Sequence, residues 1–142
     1  MKEDEVMKAN GKCLCGSIEL EVELTNTEVA ACHCNMCRTW NGGPMLAVDG
    51  GVLKTVTNES MITRYQSSEW AERGFCSQCG THLFYFLKLN NQYHFPAGLL
   101  DSEPLYELSH QVFIDEKPEY YSFSNKTKNL TGEELFTLFN GE

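Results

Sequence analysis

The sequence predicts a mainly β domain organised around cysteine-rich turns, with one short helix near the C-terminus. Three observations carry this. Residues Ser17 to Leu24 alternate polar and apolar without a break, the period-two signature of a half-buried strand. Two glycine-backed turns, Cys13-Leu14-Cys15-Gly16 and Cys76-Ser77-Gln78-Cys79-Gly80, each run into a strand-like stretch. Thr131-Gly132-Glu133-Glu134 has the spacing of a capping box, and Leu135, Leu138 and Phe139 share a face behind it.

The chain has 142 residues, 42% hydrophobic and 22% charged, enough for one domain with a real core and too apolar for disorder. The expected organisation is a single domain over residues 1–142. No apolar run reaches the roughly 20 residues of a membrane-crossing helix, and Met1-Lys2-Glu3-Asp4-Glu5 lacks the apolar core of a signal peptide. A cytoplasmic location with reduced cysteines is the expectation. The formal charge of −9 argues against nucleic acid as a partner, because that contact needs a basic surface to displace counterions.

In chain order, residues 1–10 read as polar and frayed. Ile18, Leu20, Val22 and Leu24 form the buried face of the first strand, with Glu19, Glu21 and Glu23 on its wet face. Val29-Ala30-Ala31 leads into Cys32-His33-Cys34-Asn35-Met36-Cys37. Arg38 to Pro44, rich in Asn and Gly, reads as loop. Short strands are expected at 45–48, 52–56, 61–65, 81–89, 92–97 and 110–114, with Asp49-Gly50-Gly51 as a turn. Ser124 to Asn129 reads as a linker to the capped helix, which Gly141 would end and which would pack loosely or meet a partner.

Seven cysteines cannot pair completely, and Cys13/Cys15 and Cys32/Cys34 are too close in sequence for unstrained disulfides. Three tight groups of thiols suit a soft metal ion instead. The two glycine-backed turns can close a four-cysteine site from Cys13, Cys15, Cys76 and Cys79, leaving Cys32, Cys34 and Cys37 one ligand short. Other divisions stay open at this level, such as Cys32, Cys34 and Cys37 joined by a histidine.

The order Cys13-Leu14-Cys15-Gly16, Cys32 to Arg38, Phe75 to Thr81, Gly98 to Asp101 and then His110 resembles the glutathione-dependent formaldehyde-activating enzyme family, a likeness spanning about residues 11–121. The family is also similar to centromere protein V. The resemblance implies an Mss-four-like β-tent of packed antiparallel sheets and two zinc ions. One would be structural, on Cys13, Cys15, Cys76 and Cys79; the other, on Cys32, Cys34 and Cys37, would keep an open position. It implies carbon–sulfur lyase or synthase chemistry on a thiol–aldehyde adduct such as S-(hydroxymethyl)glutathione. The sequence departs from the family at Lys117-Pro118-Glu119-Tyr120, where Tyr stands for Trp, and at His82 after Gly80-Thr81.

Around the cluster, Arg38 either holds a glutathione carboxylate or pairs with an acid on the surface. His110 and His82 are candidate proton shuttles, with plain structural roles the simpler reading. His33 is expected to hydrogen-bond behind the ligands rather than join them, and His94 to pack within its strand. Trp40 and Tyr120 are expected in the core rather than lining a pocket. Two other classes compete: a non-catalytic zinc module for protein contact, and a methionine sulfoxide reductase-related enzyme. The latter needs a nucleophilic cysteine beyond the metal ligands, and no cysteine follows Cys79.

Overall fold

The computed structural model describes residues 7–101 and 105–140. The expectations for Met1 to Glu5 and for Gly141 lie outside them. The elements are β1 (Met7–Lys12), β2 (Glu19–Leu24), β3 (Glu28–Cys32), α1 (Asn35–Asn41), β4 (Met45–Val56), β5 (Ile62–Gln66), β6 (Ala71–Cys76), β7 (His82–Leu87), β8 (Gln92–Pro96), β9 (Glu107–Val112), β10 (Lys128–Leu130) and α2 (Gly132–Asn140). They fall into two compact units, Met1–Thr27 with Val48–Tyr106, and Glu28–Ala47 with Glu107–Glu142.

The first unit is built from antiparallel hairpins. β1 pairs with β2, β2 with β4, and β5, β6, β7 and β8 pair in succession. The alternation of the first strand holds: Ile18, Leu20, Val22 and Leu24 are buried. With Val48, Ala71, Leu83, Phe84, Phe95 and Leu100 they form the core. Each large side chain among them contributes about 1.5–3 kcal/mol by leaving water. Two expectations are corrected here. Residues 7–10 are not frayed, because β1 pairs along its whole length, Met7 opposite Leu24 through Lys12 opposite Glu19. Asp49-Gly50-Gly51 is not a turn, because β4 runs continuously from Met45 to Val56. Gly50 takes φ +80°, and a Cβ on Gly51 would lie 2.6 Å from the Phe95 ring, so the pair lets an unbroken strand pass over a buried aromatic.

The second unit pairs distant segments in parallel. β9 lies beside β3, with Cys32 opposite Val112, and β10 lies beside β9. The sheets are therefore mixed, not purely antiparallel as expected. The end of the supposed linker, Lys128 and Asn129, belongs with Leu130 to the strand β10. A helix, α1, replaces the loop expected after Cys37; Gly42 ends it in the left-handed conformation at φ +79°, donating its N–H to the Arg38 carbonyl at 2.7 Å. The capping box of α2 is present as expected: Thr131 Oγ1 accepts from Glu134 N–H at 3.0 Å, and Glu134 Oε1 accepts from Thr131 N–H at 2.8 Å.

Packing in the first unit makes a direct prediction. A Cβ on Gly74 would lie 2.3 Å from the ring of Phe84, which is itself buried. Gly74→Ala should cost about 1–3 kcal/mol by overpacking, measured as a lowered midpoint in urea.

Candidate metal centres

The cysteines gather into two groups, Cys13/Cys15/Cys76/Cys79 and Cys32/Cys34/Cys37, with the Sγ atoms of each group all within 4.8 Å of one another. The first group comes from two similar turns. Cys13 N–H bonds to the Ile18 carbonyl at 3.0 Å and Cys76 N–H to the Thr81 carbonyl at 2.9 Å. Between these anchors Gly16 and Gly80 adopt φ +84° and +81°, a conformation natural to glycine. Backbone N–H groups then point at sulfur, Ile18 at Cys13 (3.3 Å), and Gln78 and Cys79 at Cys76 (3.4 Å each). Thr81 ties the turns together: its Oγ1 accepts from Leu14 N–H at 3.0 Å and lies 3.1 Å from Cys79 Sγ. That hydroxyl and the Thr81 backbone hold Cys79 down to about 5, so it is readily a thiolate.

The Cys13–Cys15 and Cys15–Cys76 Sγ separations are 3.5 and 3.8 Å. A disulfide needs about 2.05 Å. Four sulfurs at about 2.3 Å from one ion would stand roughly 3.8 Å apart. The group fits a tetrahedral metal.

The second group sits where β3 meets α1. Cys32 closes the strand, Cys34 is the N-cap of the helix, and Cys37 is the buried residue in its first turn. Cys34 Sγ accepts the Cys37 N–H at 3.3 Å, taking the place that a Ser or Asp oxygen usually fills. The Cys34 thiol is pushed well below its ordinary value by hydrogen bonds from Cys32 and Cys37, with backbone N–H groups of Cys37 and Met36 assisting against burial. Cys32 is pushed upward, by its hydrogen bonds to Cys34 and Cys37 and by burial. Three crowded sulfurs cannot all carry charge alone, and a bound cation is what lets them do so.

Behind this group lies a buried polar brace. His33 is fully buried, its Nε2 donating to Gln111 Oε1 at 2.7 Å and its Nδ1 facing Tyr121 Oη at 2.9 Å. Gln111 Nε2 donates in turn to Thr127 Oγ1 at 2.9 Å. Burial lowers the His33 pKa, with Lys117 and Arg38 adding to it and Gln111 opposing, so the imidazole is neutral. Burial raises Tyr121, which stays a hydroxyl able to donate to Nδ1. His33 thus faces away from the thiols, as its place between two cysteines suggested. Its tie to Gln111, 78 residues on, has no local signature.

The remaining candidates are placed as follows. Arg38 donates from Nε to the His33 carbonyl at 2.9 Å, anchoring it beside the cluster. Cys32 pairs with Val112, so His110, two residues back, lies on the same face of that strand pair as Cys32; Ser109 Oγ is 2.7 Å from its Nδ1. His82 is half-buried, and burial and the Arg73 charge lower its pKa. His94 packs in β8 with Nδ1 2.7 Å from Asp49 Oδ1, as expected of a strand histidine. Trp40 is half-buried, whereas Tyr120 is 76% exposed and so not a core residue. Lys117 turns inward to the carbonyls of Pro118 and Tyr121, which leaves Tyr120 outside the fold of that loop.

The glutathione-dependent formaldehyde-activating enzyme family matches residues 8–116. The chain belongs to this family. It is 35% identical over 126 residues to an uncharacterized lyase of Schizosaccharomyces pombe, covering 88% of this chain and 92% of that one. It is also 36% identical over 81 residues to a Podospora anserina protein whose name proposes a glutathione-dependent formaldehyde-activating enzyme; that alignment covers 51% of this chain and 37% of the relative. A crystal structure of a Rhodobacter sphaeroides protein shares the fold, with TM-score 0.56 and 24% identity over 68% of this chain and 91% of that one. Among the described residues no helix is long and apolar enough to cross a membrane.

The brace can be tested apart from any metal. Gln111→Leu strips the buried His33 Nε2 of its acceptor and should cost about 1–3 kcal/mol, read from urea unfolding beside the wild type.

Proposed function

We propose that the protein is a zinc-dependent carbon–sulfur lyase or synthase acting on a thiol–aldehyde adduct of the S-(hydroxymethyl)glutathione kind. In this reading the fold is of the Mss-four-like β-tent type and the location cytoplasmic. Cys13, Cys15, Cys76 and Cys79 hold a structural zinc; Cys32, Cys34 and Cys37 hold the working one. The observation that carries the reading is the incomplete second group. Among the described residues no fourth His, Cys, Asp or Glu joins Cys32, Cys34 and Cys37, and both nitrogens of nearby His33 are engaged elsewhere.

Cys32, Cys34 and Cys37 would hold a zinc ion whose charge would lower the pKa of a bound substrate thiol, about 8.5 when free. The chain's own part is positioning. Cys34 and Cys37 are held by the start of α1 and Cys32 by the paired strand β3, so the ligands keep their places without a substrate. Arg38, held at its Nε by the His33 carbonyl, extends from the same helix and is the group proposed to receive a substrate carboxylate. His110, on the face of Cys32, is proposed to carry the proton exchanged with the aldehyde oxygen as the carbon–sulfur bond forms or breaks.

The competing reading, a closed zinc module for protein contact, needs a fourth ligand on the second group. A methionine sulfoxide reductase needs a cysteine outside the metal sites, and the two groups take all seven.

The test pairs two variants. Cys34→Ala should drop the zinc content from two ions to one, cut turnover of glutathione–formaldehyde adduct below about 1% and lower the melting temperature by only about 2–8 °C, the cost of a lost N-cap. Cys76→Ala should fail to fold, because a structural zinc contributes about 10–16 kcal/mol of apparent binding energy. Metal analysis, thermal melts and an exchange assay over several thiol–aldehyde pairs read the outcome. Equal destabilisation by both variants would overturn the division of labour, and turnover by Cys34→Ala would overturn the site.

A further inference from the structure

We infer that the groove between the turn after β9 and helix α2 docks a basic, amphipathic segment of another protein. The groove is an open concavity of about 670 Å³ lined by Phe113, Asp115, Glu116, Gly132, Glu133, Phe136 and Thr137. Its floor is aromatic. Phe113 and Phe136 meet edge to face with centroids 6.0 Å apart, and Phe136 is 49% exposed. A pair of phenylalanines in contact at the floor of a concavity, one of them half open to water, marks a surface made to be covered.

The charge on the groove selects the occupant. Asp115, Glu116 and Glu133 are its charged lining residues, and α2 carries no lysine or arginine. Asp115 Oδ1 accepts from the Gly132 N–H at 2.9 Å, and Glu116 Oε1 accepts from the Asn35 N–H at 2.8 Å. Each carboxylate is thereby fixed in place by the backbone while keeping a second oxygen for a ligand. An acidic partner, or a second copy of a chain that carries −9, would be repelled. A segment with lysine or arginine beside leucine-type residues satisfies both features: its apolar side chains cover the phenylalanines and its cations meet the rim, with cation–π contact to the rings adding to the attraction. A single small cation would leave the aromatic floor uncovered.

The floor is also set rigidly. A Cβ on Gly132 would lie 2.5 Å from the Phe113 ring, and Phe113 itself adopts φ +55°. The first turn of α2 can therefore lie directly on that ring, which fixes one wall against the other.

A fluorescent twelve-residue peptide of alternating lysine and leucine blocks is the probe, with a glutamate-for-lysine analogue as its control. Anisotropy titrations of the full chain should show binding of the basic peptide alone. Glu133→Lys should weaken it about tenfold, Glu133→Gln less, and Phe136→Ser about tenfold with little change in salt dependence. Glu69→Lys makes the same charge change at an exposed site outside the groove and should leave affinity within about twofold. Amide shifts on binding should fall on residues 113–116 and 132–138. Circular dichroism checks each fold; if Phe136→Ser misfolds, the glutamate variants carry the comparison. Equal losses for Glu133→Lys and Glu69→Lys, or shifts centred elsewhere, would overturn the inference. So would a doubling of mass on sedimentation that Phe136→Ser abolishes, since the groove would then serve a second copy.

Discussion

The structure depends on sulfurs being held close enough to share a metal. Thiols within 4.8 Å of each other gain little from dispersion and cannot all ionise alone. The fold nevertheless aims backbone N–H groups at the sulfurs of Cys13, Cys76 and Cys34. Positive-φ glycines, the Thr81 hydroxyl and the helix start at Cys34 all serve that end. The β-hairpins give the turns a rigid base, and the charge they collect asks for a cation.

Much of this was legible in the sequence, and the reason is local. The strand at Ser17–Leu24, the glycine-backed turns and the capping box at Thr131–Glu134 are each written within eight residues. What could not be read was set by partners far away. β3 and β9 pair in parallel although nearly eighty residues separate them, and no local pattern announces which distant strand a short apolar run will join. β10 is three residues long and polar on two of them, so its sequence resembles a linker. Frayed-looking Met7–Asn10 is strand because β2 offers it a full row of hydrogen bonds.

The two misread glycine pairs show how one residue type can mean different things. Gly50-Gly51 suggested a turn but lets β4 continue past Phe95. Asn41-Gly42-Gly43 suggested an open loop but ends a helix whose start was hidden, because its cap is a cysteine. Cys34 stands three residues before Cys37, the spacing of an N-cap and its N3 partner; read as a cap, it would have exposed α1. The metal-ligand reading masked the helical one, although the same side chain serves both.

The two cysteine groups also differ in how much chain they enclose. Cys15 and Cys76 lie 61 positions apart, so an ion shared by those turns closes a long loop and restrains the unfolded ensemble as a covalent cross-link would. Cys32, Cys34 and Cys37 enclose only a strand end and one helical turn, and a metal there removes almost no chain entropy. Metal exchange at the second group would therefore be a local event. A metal held by the first group would couple its own release to unfolding.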